Sequence, residues 1–195
     1  MIVSHQVNFK CKGLEYILRN LEASHLNNAY ISFLTNKETF QYTSVSSTEV
    51  TLDSQVEYVD NINGSMFDAI LGIYSGCNQL IGTVGFQNFN HPDYVPTIGI
   101  LIASSDYRGR GLAPLFLYGA CRLLFKENKH WSFVFAGIEN SNLASIKSFQ
   151  RIGFIITPPE NYDPRFLPLK DGCSTYKCSG ETLRVPDQMN DFELI

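Results

Sequence analysis

Apolar residues along this chain switch repeatedly between two periods. Leu14 to Arg19 is a short run that reads as a strand. From Ser24 the spacing lengthens. Leu26, Ala29, Tyr30, Phe33 and Leu34 share one helical face, with Ser24 as the expected N-cap. A polar loop is predicted over Tyr42 to Thr48, then a second helix from Thr51 to Ile62 that ends at Asn63-Gly64. Met66 to Tyr74 and Gln79 to Gln87 form a predicted pair of strands around the turn Ser75-Gly76-Cys77-Asn78.

The second half repeats strand and helix in turn. Asn88 to Pro96 carries two prolines and reads as a loop, and Thr97 to Ala103 reads as a buried strand. A helix runs on to about Asn128, with Leu112, Leu115, Phe116, Cys121, Leu123 and Leu124 on its apolar face. A strand from Phe133 to Ile138, a helix over residues 142–152 and a strand from Phe154 to Thr157 follow. Pro158-Pro159 and Pro164 mark another loop, and Ser174 to Cys178 closes the sheet. Residues 1–12 read as an extra edge strand, and the chain from about Glu181 as a loose tail.

No internal repeat or linker divides the 195 residues, so one domain spanning 1–195 is expected. The hydrophobic share of 44% and charged share of 17% are those of a globular enzyme. A net charge of −4 disfavours nonspecific nucleic-acid binding. No stretch reaches the roughly 18 apolar residues of a membrane span, and Met1 to Gln6 lacks the features of a signal peptide. The five cysteines show no C-x-x-C spacing. That pattern predicts free thiols and a cytoplasmic setting, with a Cys173–Cys178 bridge as the alternative, and no metal site.

Chemistry concentrates at Arg108-Gly109-Arg110-Gly111-Leu112-Ala113, between the 97–103 strand and the following helix. The first N–H groups of a helix lack internal partners and carry the positive end of its dipole. Gly109 and Gly111 clear an anion's approach, and Arg108 and Arg110 add donors suited to phosphate oxygens. The Lys-Ser/Thr end of a P-loop is missing, and so is the third glycine of the dinucleotide fingerprint. The pattern that fits is [QR]-x-x-G-x-[GA]. It resembles the pyrophosphate loop of the GNAT superfamily of acyl-CoA-dependent N-acyltransferases. A second stretch, Asn142-Leu143-Ala144-Ser145 through Gly153-Phe154, resembles that family's N-x-x-[AS] … G-F helix. The likeness is strongest over 97–154.

The resemblance implies an α/β fold: a mixed central sheet of about six or seven strands flanked by helices, two of the strands splayed to admit acetyl-CoA. It implies cofactor contacts at Leu101, Ile102 and Ala103, at Arg108 to Ala113, at Asn142 and at Phe149. The Ile102 N–H becomes the oxyanion donor, a role worth about 3 kcal/mol. Asn142 is equally suited to cap its own helix. Many relatives carry a tyrosine, at the position of Phe149, to protonate the leaving thiolate. Either Ser145 takes that part here, or solvent does. Relatives also place a glutamate on the strand before the loop, and Thr97 to Ile102 has none. His91 is the candidate base, with Asp93, Tyr94, Glu139 or a water chain as alternatives. The expected activity is acetyl transfer to a primary amine. Likeness of the 27–36 stretch to a branch acting on protein N-termini and amino sugars points to an amino sugar on a nucleotide carrier. A protein N-terminal amine and a non-catalytic acyl-CoA-binding module are the alternatives. Oligomeric state is not legible.

Overall fold

The computed structural model describes residues 6–36, 50–128, 130–158 and 172–187, and the backbone of 191–194. Nine strands form one sheet: β1 Val7–Cys11, β2 Leu14–Asn20, β3 Ala69–Ser75, β4 Leu80–Gln87, β5 Thr97–Ile102, β6 Phe133–Glu139, β7 Ile155–Ile156, β8 Cys173–Ser179 and β9 Asp191–Leu194. Their order is β7-β8-β6-β5-β4-β3-β2-β1-β9. All pairs are antiparallel except β5–β6. Among the described residues four helices flank the sheet: α1 Asn28–Leu34, α2 Leu52–Gly64, α3 Ala113–Glu127 and α4 Leu143–Arg151.

Each face of the sheet has its own core. Leu18, Leu71, Ile73, Val84 and Ile98 pack with Leu115, Phe116 and Phe149 beneath α3 and α4. Leu21, Ile70, Tyr74 and Leu101 pack with Tyr30, Leu34 and Val59 beneath α1 and α2. Helix α3 is apolar nearly all round and buried from Pro114 to Cys121, as a helix wrapped by other elements must be. It approaches β1 so closely that a Cβ on Gly119 would strike the Phe9 ring. Strand β3 is buried at every residue, because helices cover both of its faces.

The predicted elements occur, with four corrections. The sheet gains strands at its far margin, so it exceeds six or seven. The N-terminal segment forms β1 as expected, but β1 is not an edge: β9 pairs outside it, Phe9 opposite Phe192. The tail is therefore not loose. It supplies β9, and before that the Arg184 N–H donates to the Ile152 carbonyl at 2.9 Å. The first helix is capped by Asn27, whose side chain accepts from the Tyr30 N–H, while Ser24 sits in a short 3₁₀ turn. All five cysteines are free, so Cys173 and Cys178 are not bridged. The loop readings over Tyr42 to Thr48 and at Pro159 and Pro164 lie outside the described residues. No helix among the described residues is long and apolar enough to cross a membrane.

Candidate active site

The parallel pair β5–β6 defines the site. These strands meet only where Thr97 faces Phe135, held by the Phe135 N–H donating to the Pro96 carbonyl at 3.0 Å. Beyond that pair no ladder joins them, leaving a gap in the pairing between the C-terminal ends of β5 and β6. Strand backbones alternate their polar groups from side to side. The Ala103 N–H donates to Ile81 of β4 at 2.9 Å, so the backbone groups of Leu101 also face β4, opposite Thr83. Those of Ile100 and Ile102 face the gap.

This alternation corrects the expected set of strand contacts. The Ile102 N–H lies on the gap side, as the expected contact requires. The backbone N–H groups of Leu101 and Ala103 do not: they are turned to β4. Ile100, which the sequence reading passed over, presents its N–H and carbonyl to the gap. Simple residue parity from the β4–β5 register finds it.

Two helices begin at the gap's mouth. The turn before α3 places Gly109 at φ +70° and Gly111 at φ +77°, a left-handed conformation that glycine adopts without strain. A Cβ on Gly109 would meet no heavy atom within 4 Å, so the approach is open. The N-cap residue Leu112 offers no side-chain acceptor. From Gly109 to Ala113 no backbone N–H has a hydrogen-bond partner among the described residues. Such a run of donors at a helix N-terminus is a seat for a diphosphate. The residues present therefore fit the pyrophosphate of acetyl-CoA.

The two arginines of the loop differ. The Arg108 guanidinium turns inward: Nε donates to the Ile102 carbonyl at 2.9 Å and Nη2 to the Ala103 carbonyl at 3.0 Å. It braces the end of β5 rather than reaching into solvent for a phosphate. Arg110 is exposed and lies over the Tyr107 ring, 5.5 Å from its centroid. Arg151, from the last turn of α4, lines a cavity with Gly111, Pro114, Pro186 and Asp187. It is a further cation beside the loop that no motif had flagged.

At the other side of the mouth, Asn142 caps α4, its Oδ1 accepting from the Ser145 N–H at 3.1 Å. The amide nitrogen of that side chain is left to donate. Ser145 is half-buried one turn in, and no hydrogen bond to its hydroxyl is formed among the described residues. Phe149 is 2% exposed and stacks edge-on against Phe154, with centroids 4.9 Å apart. It belongs to the core under α4, not to the lining of the cleft.

His91 does not suit a base. Its Nδ1 accepts the N–H groups of Asp93 at 3.1 Å and Tyr94 at 3.2 Å. The lone pair a base needs is occupied, and Nε2 must carry the ring hydrogen. The ring also packs against Phe67 and Tyr94, at 4.5 and 4.7 Å. The backbone carbonyl accepts from Trp131 Nε1 at 3.1 Å. His91 organises its loop. Glu139 is exposed and takes a hydrogen bond from Ser141 Oγ at 2.5 Å.

The face of β4 and β5 towards α1 and α2 carries neutral polar groups beside the gap. Burial pushes the pKa of the Tyr30 hydroxyl up to about 12, with Thr83 acting to lower it, so it stays protonated. Thr97 Oγ1 donates to Gln87 Oε1 at 3.4 Å.

A splayed parallel pair with an uncapped, glycine-led helix at its mouth defines an acyl-CoA-dependent transferase. Residues 15–155 match the family described as Acetyltransferase (GNAT) domain, and the chain belongs to that family. It is an acetyl-CoA-dependent N-acetyltransferase. Among solved structures it is similar to Mycobacterium smegmatis RimJ in complex with CoA-disulfide. That match has 15% identity and a TM-score of 0.75, covering 93% of this chain and 90% of that one. The spermidine N-acetyltransferase of Vibrio cholerae, in complex with CoA and spermine, matches with 15% identity and a TM-score of 0.69. Coverage is 86% of this chain and 96% of that one. An aminoglycoside acetyltransferase in complex with coenzyme A gives 17% identity and a TM-score of 0.67, with coverage of 86% and 96%. At these identities the likeness is one of fold. No curated protein matches the chain by sequence.

Proposed function

We propose that the chain acetylates the primary amine of a small hydroxylated molecule, an amino sugar, free or on a nucleotide carrier. The observation that carries the reading is the unpaired N–H run from Gly109 to Ala113, set at the mouth of a gap edged by Ile100 and Ile102. Acetyl-CoA supplies an activated acetyl thioester there. The loop N–H groups hold its pyrophosphate, and Arg110 and Arg151 add positive charge nearby. The gap-facing N–H groups of Ile100 and Ile102 bind the extended arm as a strand edge binds a peptide, and one of them polarises the thioester carbonyl. The Asn142 amide nitrogen donates to the same arm. As the amine nitrogen bonds to the acetyl carbon and the carbon–sulfur bond breaks, the Ser145 hydroxyl passes a proton to the thiolate and takes one back from the water that receives the amine's proton. The amine's proton leaves through water, since His91 Nδ1 is occupied.

The acceptor reading draws on the α1/α2 face. Thr83, Tyr30, Thr97 and Gln87 offer neutral hydrogen bonds of the kind that hold hydroxyl groups. Thiol release from acetyl-CoA, measured with amino sugars, nucleotide-linked amino sugars, polyamines and peptides, tests it. Stimulation by an amino sugar is expected. Stimulation by a free peptide N-terminus alone transfers the assignment to protein N-terminal acetylation. Tight acetyl-CoA binding with no amine-stimulated release leaves a cofactor-binding module.

A further inference from the structure

Three strand and helix glycines of this protein have a visible packing reason. A Cβ on Gly72 would strike the Tyr74 ring, one on Gly82 the Leu101 carbonyl, and one on Gly119 the Phe9 ring. Gly85 and Gly99 have none. Neither takes a left-handed φ, and among the described residues a Cβ built on either meets no heavy atom within 4 Å. They stand opposite each other across β4 and β5. Glycine weakens a strand interior, and where packing does not demand it, it marks the close approach of something else.

Their position sharpens the point. β4 is the central strand of the nine and β5 its neighbour, yet Gly99 is exposed to solvent and Gly85 half-exposed. Gly85 pairs with Ile70, which packs in the α1/α2 core, so both missing side chains would project to that face. The Leu101 and Thr83 pair closes one end of the bare patch, and the Thr97 and Gln87 pair the other. The open strand edge at Ile100 is the next residue along.

We propose that Gly85 and Gly99 form the floor on which the acceptor amine lies, and that their missing side chains set the size of acceptor admitted. The inference rests on the acetyl-transfer reading above. An acceptor resting on Gly99 lies beside the gap edge at Ile100, so its nitrogen reaches a thioester held there from the α1/α2 side. A methyl group at either position fills space that no described residue occupies and that the acceptor needs.

The test uses Gly99→Ala and Gly85→Ala in the full chain. Melting temperature is expected to stay level or rise, since the methyl meets nothing and a strand gains from losing glycine. Acetyl-CoA affinity, by calorimetry, is expected to stay at the wild-type value. The KM for the acceptor is expected to rise about ten-fold or more, as for an added methyl in a filled pocket. A smaller amine is expected to suffer less than a larger one. Three results overturn the floor while leaving acetyl transfer standing: unchanged acceptor kinetics in both variants, loss of acetyl-CoA binding in step with the acceptor effect, or a fall in melting temperature that accounts for the lost turnover. Wild-type protein that binds acetyl-CoA but transfers to no amine overturns the transfer reading, and this assignment with it.

Discussion

Helices α3 and α4 both start at the gap's mouth, and they start differently. Helix α4 satisfies itself: Asn142 accepts the Ser145 N–H. Helix α3 does not. Its N-cap is Leu112, with no side-chain acceptor, and two left-handed glycines precede it. The other two helices are capped as well, α1 by Asn27 and α2 by a Thr51–Ser54 capping box. The one α-helix among the described residues without a side-chain cap is thus the one proposed to receive the diphosphate. A side-chain cap there would compete with the ligand for the same donors. The difference separates a helix start kept for stability from one kept for binding.

The largest expected effect comes from closing the open start. Gly111→Asp adds a carboxylate and a Cβ at φ +77°. Acetyl-CoA binding should vanish in calorimetry while circular dichroism keeps its shape. Retained binding in the folded variant would remove the loop from the cofactor site. Next comes the proton donor on the capped helix. Ser145→Ala should lower kcat by about ten-fold or more, within the usual range for acid–base groups. Full kcat would leave solvent as the proton source.

Smaller effects divide the two roles of Asn142. Asn142→Ala should cost about 1 kcal/mol of stability, as lost caps do, and weaken acetyl-CoA binding as well. Asn142→Asp keeps the capping oxygen and removes the amide donor. It should restore the melting temperature without restoring affinity. Restoration of both would show that the cap alone matters. The smallest expected effect is at His91. His91→Ala should leave the pH–rate profile of kcat/KM unchanged, because the ring's lone pair is spent on Asp93 and Tyr94. Loss of an acid limb in the variant would return the base to that loop.

The open helix start and the capped one of the candidate site were legible because their signals are local. Gly109, Gly111 and Asn142 act through their own backbone turn, so neighbours in sequence are neighbours in space. What escaped depends on pairing between distant segments. Whether Leu101 or Ile100 faces the gap is decided by the β4–β5 register, which one residue of slip would invert. The inward turn of Arg108 depends on where the end of β5 lies. His91 has a base's intrinsic chemistry, and only the fold of its loop shows the lone pair taken. The floor at Gly85 and Gly99 needed two strands laid side by side.

The β1–β9 ladder bears on how the chain reaches this state. Val7 opposes Leu194, so this pairing spans nearly the whole described chain. Closing so long a loop costs entropy that local hairpins such as β3–β4 do not face, and contacts of that kind slow folding. The ladder is therefore expected to form last as the protein folds. In native-state hydrogen exchange its amides should open well before those of β3 and β4, by a route that leaves the acetyl-CoA mouth assembled.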